Sequence, residues 1–288
     1  MSSLNTLLSV FDSEFFLMML KTPLVKNALL VGALVSLCAA LLGVILVLKH
    51  YALIGHGLGE VGFAAMSIAA LVGLGNHPLL VAIPVVCLSS ILIMRLGHKN
   101  GMGGDVLIGM FSTAALAVGV LASVYTDGYS GVYNSMFGSL YAVQKSDVLI
   151  SVVLSVAVIL IFLFMYNRLF SVTYDETYAR ATDINADLYQ FIISLLTSVA
   201  VVLGMRVMGA MMISSFIIFP AMTAKRLARS FRSMLLIAVA VALVSFFTGM
   251  AISLMVASVS LPTGACVVSV SVVIMLATYL LTGIRGKK

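Results

Sequence analysis

Charged residues are scarce in this chain: aspartate, glutamate, lysine and arginine make up 9% of its 288 residues, against 62% for apolar residues. Soluble domains carry about 25% charged residues, so a water-soluble fold of this length is excluded. A helix needs about 20 apolar residues to cross a bilayer, which leaves room for roughly eight to ten crossings. The apolar runs are long and do not alternate with polar residues. They predict an all-α polytopic membrane protein with about eight to nine transmembrane helices.

The chain also lacks the motifs of nucleotide and protease chemistry. It has no Walker A sequence, which excludes an ATPase site of its own, and neither a His-Glu-x-x-His pair nor a serine dyad. The segment Gly57-Leu-Gly-Glu-Val-Gly62 matches the spacing of a dinucleotide fingerprint but lacks the preceding strand. We interpret its glycines as helix-packing residues. The chain is expected to be no enzyme and to hold no permanently bound cofactor.

Cysteine is rarer still, and Cys38, Cys87 and Cys266 all lie inside apolar runs, where they are expected to act as small apolar side chains. The net charge of +6 does not indicate a nucleic-acid partner, because the cations lie at the ends of apolar runs. Cations at those positions determine membrane topology.

The apolar runs divide the chain into two parts. Residues 1–26 are expected to form an interfacial segment, because they carry Asp12 and Glu14 and lack the basic start of a signal peptide. Residues 27–288 are expected to form a single transmembrane domain. Its predicted spans are 27–48, 55–74, 79–96, 105–124, 147–166, 187–206, 208–224, 233–256 and 264–283. The pair 187–206 and 208–224 is alternatively one broken or re-entrant unit.

The basic residues predict the orientation. One set of loops holds twelve of the sixteen cations, and the opposite set holds Lys21, Lys26, Lys145 and Arg206. The richer set is expected to be cytoplasmic. Its members are Lys49, Arg95, Lys99, Arg168, Arg180, Lys225, Arg226, Arg229, Arg232, Arg285, Lys287 and Lys288.

Two charged residues lie inside a predicted span. His56 and Glu60 are four residues apart, so their side chains share one helix face. Charged groups inside a membrane are costly and mark pathways or sites. An imidazole nitrogen with a carboxylate oxygen suits zinc, manganese or iron(II). The pair is therefore a candidate metal site, with a plain ion pair that fixes the helix as the alternative.

The longest cytoplasmic loop runs from Arg168 to Asp187. Within it, Asp175 and Glu176 precede Tyr178 and Arg180, a pattern typical of a short helix with acids at its start. Such a helix would either dock a soluble partner or lie on the membrane surface.

The chain resembles the permease subunits of zinc, manganese and iron ABC importers from about residue 27 to 283. The most specific segment is Met208-Gly-Ala-Met-Met-Ile-Ser-Ser-Phe-Ile-Ile-Phe-Pro-Ala-Met-Thr-Ala224, which is similar to the family's glycine, apolar run and Pro-Ala before a basic turn. Four shorter matches occur in the family's order: Gly104-Asp105 with Gly109, Met136-Phe-Gly-Ser139, Asp175 to Ala181, and Pro262-Thr-Gly264.

The resemblance implies a role for the charged pair. In that family the second helix carries an aspartate and, four residues later, a histidine that are thought to hold the ion. This chain has His56 at the aspartate position and Glu60 at the histidine position, so the nitrogen donor and the carboxylate are exchanged.

The resemblance also implies the partners. Two copies of this subunit would line one path in the plasma membrane of a prokaryote, with ATP-binding subunits below and an extracytoplasmic metal-binding protein outside. The ATP-binding subunits would contact Asp175, Glu176, Tyr178, Arg180 and Asp183. Asp183 replaces a glycine of the family. Two alternatives stay open: a secondary ion-coupled transporter, and an ABC permease for a chelated metal or siderophore.

Overall fold

The computed structural model describes residues 22–74, 78–99, 104–126, 145–255 and 262–285, and in those ranges its regular secondary structure is all α-helix. Nine helices have 18 residues or more, and two are short. In chain order they are α1 Pro23–Leu48, α2 Ile54–Leu71, α3 Pro78–Lys99, α4 Gly104–Val124, α5 Lys145–Phe164, α6 Tyr166–Tyr174, α7 Glu176–Ala181, α8 Ala186–Met208, α9 Ala210–Leu227, α10 Phe231–Met255 and α11 Thr263–Arg285.

The described helices confirm the all-α membrane architecture. Seven of them, α1, α2, α3, α4, α8, α10 and α11, are long and apolar enough to cross a membrane, and the bent pair α5–α6 is an eighth if its two helices are counted as one span. The helix predicted at 208–224 is present as α9 but is not among these eight. The predicted interfacial segment falls largely outside the described residues, and α1 already begins at Pro23. The match at 136–139 also lies outside them.

The loop predicted from Arg168 onward contains a helix that the sequence reading missed. The chain bends by 71° between α5 and α6, and α6 continues to Tyr174. Leu169 and Val172 of α6 are buried, whereas Phe170 and Tyr174 are exposed on its other side. An amphipathic helix that turns away from a transmembrane helix is typical of a segment lying in the membrane interface.

Contacts between helix ends bring the predicted cytoplasmic loops together. The Arg226 guanidinium donates to the Thr282 hydroxyl at 3.1 Å, which joins the last turns of α9 and α11. The Phe231 ring at the start of α10 packs against Phe170 of α6 at a centroid distance of 5.1 Å. Lys49, after α1, forms an ion pair with Glu176 of α7. We call this end of the bundle, with the α1–α2 turn, α6, α7, the α9–α10 turn and the end of α11, the basic end.

Helices α8 and α9 form a hairpin that turns at Gly209. This residue has φ 90° and ψ 154°, a conformation that is essentially restricted to glycine. Gly204 before the turn packs directly against the Ile213 side chain after it, so the two helices run antiparallel. The glycine of the longest family-like segment is therefore required by the backbone of the turn.

Polar contacts between helices are few and involve small side chains. The Ser90 hydroxyl of α3 donates to the Ser194 backbone carbonyl of α8 at 3.3 Å. The Cys38 thiol of α1 donates to the Ser155 carbonyl of α5 at 3.4 Å. All three cysteines are free, and Cys38 is buried in the core.

Close packing of α9 on α1 depends on Gly43. A Cβ atom there would overlap the backbone carbonyl of Ile217, which cannot rotate away as a side chain would. We expect Gly43→Ala to lower the free energy of unfolding by about 1–3 kcal/mol, the usual cost of overpacking. Thermal unfolding in detergent measures the effect.

Gly109→Ala is the matched control, because no atom lies within 4 Å of the added Cβ. It removes a glycine from a helix, so it should raise stability by about 0.5–1 kcal/mol. Equal losses in the two variants would contradict the packing role of Gly43.

Candidate metal site and docking face

The α1–α2 turn at the basic end positions the candidate site. His50 adopts a left-handed conformation with φ 61°, and the Tyr51 amide donates to the Leu46 carbonyl at 2.9 Å. This bond closes the end of α1 in a Schellman motif. The Ile54 amide then donates to the Tyr51 carbonyl at 3.1 Å, where α2 begins. Hydrogen bonds thus fix the turn where α1 ends and where α2 begins, so it joins the two helices as a compact unit.

His56 and Glu60 lie together in the first turns of α2, as the sequence predicted. His56 Nε2 is 3.4 Å from Glu60 Oε1. The Glu60 side chain is only 7% exposed, while that of His56 is 39% exposed. The pair thus presents an accessible imidazole with a buried carboxylate behind it.

The second oxygen of Glu60 has no partner among the described residues. Glu60 Oε2 is buried and accepts no hydrogen bond. A buried carboxylate oxygen without a donor or cation is destabilising, and such groups in native structures call for an explanation. A plain ion pair with His56 uses one oxygen and leaves this one unexplained, whereas a bound cation would use both kinds of donor.

Glycines bring three other helices close to the charged pair. Gly55 faces the Ser214 backbone of α9, Gly57 faces Ile108 of α4, and Gly62 faces Met205 of α8. Gly57 and Gly62 belong to the false dinucleotide fingerprint, and Gly55 lies just before it. Their packing role is as the sequence predicted, because small residues allow membrane helices to approach closely.

One described copy of the chain supplies an incomplete ligand set. Among the described residues, no group of three or more His, Cys, Asp or Glu side chains could hold a metal ion. Zinc and manganese take at least four ligands, so His56 and Glu60 need backbone carbonyls, water or a second subunit to complete the site.

Helix α7 at the basic end carries the predicted docking residues. Asp175 caps its start, accepting a hydrogen bond from the Tyr178 amide at 2.9 Å. Asp183, just past its end, adopts a left-handed conformation with φ 57°. This conformation accounts for a glycine at that position in the family, and aspartate is among the residues that tolerate it.

The five docking candidates separate into two groups. Tyr178 is 61% exposed, and Asp175 and Asp183 are also exposed. Glu176 is turned towards the protein instead: one of its oxygens accepts from the Arg180 guanidinium at 3.0 Å and the other from the Gln190 amide at 2.6 Å. Glu176 therefore holds α7 in place, and the exposed residues form its outer surface.

Arg180 extends the same network to the start of α8. Its guanidinium donates to Asp187 Oδ1 at 2.6 Å as well as to Glu176. The hydrogen bond to Asp187, followed by that to Glu176, raises the pKa of Arg180 above its usual value. On the other side of Glu176, burial lowers the pKa of Lys49, and the Glu176 charge opposes that shift.

Comparison with known proteins now decides the family. A model of the ABC 3 transport family matches residues 21–282. The chain belongs to the ABC 3 transport family. The chain is thus a multi-span membrane protein of a transport family. The match covers every described helix except the last residues of α11.

Relatives within the ABC 3 family carry metal-transport names. The chain is 23% identical over 254 residues to the manganese import system permease protein ScaB of Streptococcus parasanguinis, covering 88% of this chain and 89% of the relative. It is 28% identical over 231 residues to the high-affinity zinc uptake system membrane protein ZnuB of Haemophilus influenzae, covering 78% and 86%. The solved structure of PsaBC from Streptococcus pneumoniae in complex with Fab shares the fold, with a TM-score of 0.82, 23% identity, and coverage of 93% of this chain and 95% of that one.

The sequence of this ABC 3 family chain did not predict that Lys49 and Gln190 contact Glu176. Both residues converge on Glu176 from segments far away in sequence. No local pattern marks such a meeting point. The apolar spacing of Leu169 and Val172 was, in contrast, an available signal for α6.

Proposed function

We propose that this chain is the membrane permease subunit of an ATP-driven importer of divalent metal ions in a prokaryotic plasma membrane. The transported ion is zinc, manganese or iron. The family match over residues 21–282 supports the transporter class. The buried Glu60 oxygen beside His56 supports a metal ion as the substrate.

In the proposed assembly, two copies of the chain line one path. An extracytoplasmic metal-binding protein delivers the ion, and ATP-binding subunits dock on α7 at the basic end. His56 and Glu60 exchange ligands with the hydrated ion as it passes between the subunits. The chain itself hydrolyses no ATP.

The alternatives have less support. A secondary transporter would not be expected to match an ABC family over nearly the whole chain. A permease for a chelated metal or siderophore would not need ligands within a helix, and the pair in α2 weighs against it.

Reconstitution in vesicles tests the proposal. The chain, purified with its ATP-binding and metal-binding partner proteins, is expected to accumulate radiolabelled zinc or manganese only when ATP is supplied, and the chain alone should show no ATPase activity. Uptake driven by an ion gradient without ATP would identify a secondary transporter and overturn the proposal.

The outer surface of α7 is expected to carry the docking contact. Tyr178→Ala should weaken association with the ATP-binding subunit by about tenfold or more, because exposed tyrosines become binding hot spots when a partner covers them. Pull-down and surface binding measure the change. Tyr125→Ala, just after the last residue of α4, removes a tyrosine that is even more exposed, at 81%, and should have no effect. Equal binding by both variants would reject α7 as the docking element.

A further inference from the structure

Glu176 of α7 contacts the α1–α2 turn and α8 as well as a residue of its own helix. Its Oε2 atom lies 3.8 Å from Lys49 Nζ and accepts from Gln190 of α8 at 2.6 Å, and its Oε1 atom accepts from Arg180 within α7. The Glu176 side chain is 28% exposed and that of Lys49 only 9% exposed. This side chain thus joins the proposed docking helix to the core of the bundle.

The Lys49 end of this contact leads directly to the candidate metal site. Lys49 caps α1, and its amide donates to the Ile45 carbonyl at 2.9 Å. From there the hydrogen-bonded α1–α2 turn runs to Ile54, and His56 follows within the first turn of α2. Glu176 also acts on the turn itself, since its charge adds to burial in raising the pKa of Tyr51.

We propose that Glu176 is a positioning residue that couples α7 to α2, so that displacement of the docking helix shifts the turn that carries His56 and Glu60. The inference rests on the proposed function, because it takes α7 as the ATPase contact and α2 as the metal helix. It assigns Glu176 an inward role that differs from direct contact with the partner.

The physical basis is the cost of separating the pair. The Lys49 ammonium is largely removed from water, and a buried charge that loses its partner is strongly destabilised. When ATP-driven motion moves α7, Lys49 must follow Glu176 or be left unpaired. Following it tilts the start of α2, because the short connecting turn is hydrogen-bonded to the end of α1 through Tyr51 and to the start of α2 through Ile54. The ion pair between Lys49 and Glu176 thus links the docking helix to the metal site, and it has two discrete states, paired and unpaired.

Lys49→Gln tests the link in the complete transporter reconstituted in vesicles. The variant should retain assembly and basal ATP hydrolysis, since Lys49 contacts neither the substrate nor the partner in this proposal. Metal ions imported per ATP hydrolysed should fall by roughly fivefold or more. Arg168→Gln is the matched control: Arg168 donates to the Tyr189 hydroxyl of α8 at 2.8 Å, and among the described residues it forms no ion pair with α7 or the α1–α2 turn. Arg168→Gln should leave the number of metal ions imported per ATP unchanged.

A purely structural role gives a different result. Assembly and thermal stability would then fall in Lys49→Gln while imported metal per ATP stayed normal, and that outcome overturns the inference. A double-mutant cycle adds a second criterion. Once Lys49→Gln has broken the contact, Glu176→Gln should lower the ratio little further, and fully additive losses would also overturn it. If the unmutated complex imports no metal, the proposed function fails instead.

Discussion

Glu60→Ala is expected to reduce metal uptake by about 100-fold or more while the protein still inserts and assembles. The variant loses the only carboxylate of the pair. Changes even to residues that merely support metal ligands lower metal affinity or activity by about 10- to 100-fold, so loss of a ligand should cost at least as much. His56→Ala should have a similar effect. Uptake of radiolabelled zinc and manganese in cells measures both, with membrane abundance as the control for expression.

An apolar double variant should lose transport without losing stability. Replacing His56 by leucine and Glu60 by methionine removes a buried, unpaired carboxylate oxygen. Well-packed apolar replacements of buried charges are often neutral or stabilising by about 1–4 kcal/mol. The double variant should therefore unfold at the same or a higher temperature than the unmutated chain, but transport no metal.

This combination separates a ligand pair from a structural ion pair. If His56 and Glu60 serve only to fix the helix, the apolar double variant should still transport, and near-normal uptake by it rejects the ligand assignment. The exchanged variant His56→Asp with Glu60→His restores the arrangement of the resembling family. It should retain transport, because the same two donor types stay on the same helix face.

Gly209→Ala is expected to destabilise the bundle by about 1–3 kcal/mol or more. The residue has φ 90° and ψ 154°, which a side chain at Cβ makes unfavourable. Relaxing that strain would turn α9 away from α8 and from Gly55 of α2, so transport should fall as well. Thermal unfolding and the amount of assembled complex report the change.

Gly73→Ala is the control for this variant. Gly73 also has a positive φ, of 84°, but it ends α2 in a turn with no atom within 4 Å of the added Cβ. It should lose only about 1 kcal/mol and keep its transport activity. A Gly209→Ala protein as stable and active as Gly73→Ala would show that the hairpin does not need its glycine.

The sequence predicted the helices well because bilayer crossing imposes length and apolarity on contiguous residues. The predicted span 264–283 corresponds to Thr263–Arg285, and 105–124 to Gly104–Val124. The charged pair was found for the same reason, since a histidine and a glutamate stand out in an apolar run. The start of α7 followed from Asp175, an acid that caps it.

The rest depends on contacts between distant segments. Nothing in the local pattern around Glu176 distinguishes an outward docking acid from one that faces Lys49 and Gln190. The burial of Glu60 likewise depends on distant segments, because α2 packs against α4, α8 and α9. The 71° bend before α6 was missed because a helix of nine residues is too short to register as a span of its own.

The bend between α5 and α6 places a helix where lipid headgroups can affect its position. Helix α6 turns away from α5 with Phe170 and Tyr174 exposed, so it is suited to lie among the headgroups. It is followed directly by α7. Bilayers of different thickness shift the headgroup layer relative to a fixed bundle, at a cost of fractions of a kcal/mol per Å. We therefore expect membrane thickness to act on α7 through α6, against the contacts of Glu176 that hold α7 on the bundle.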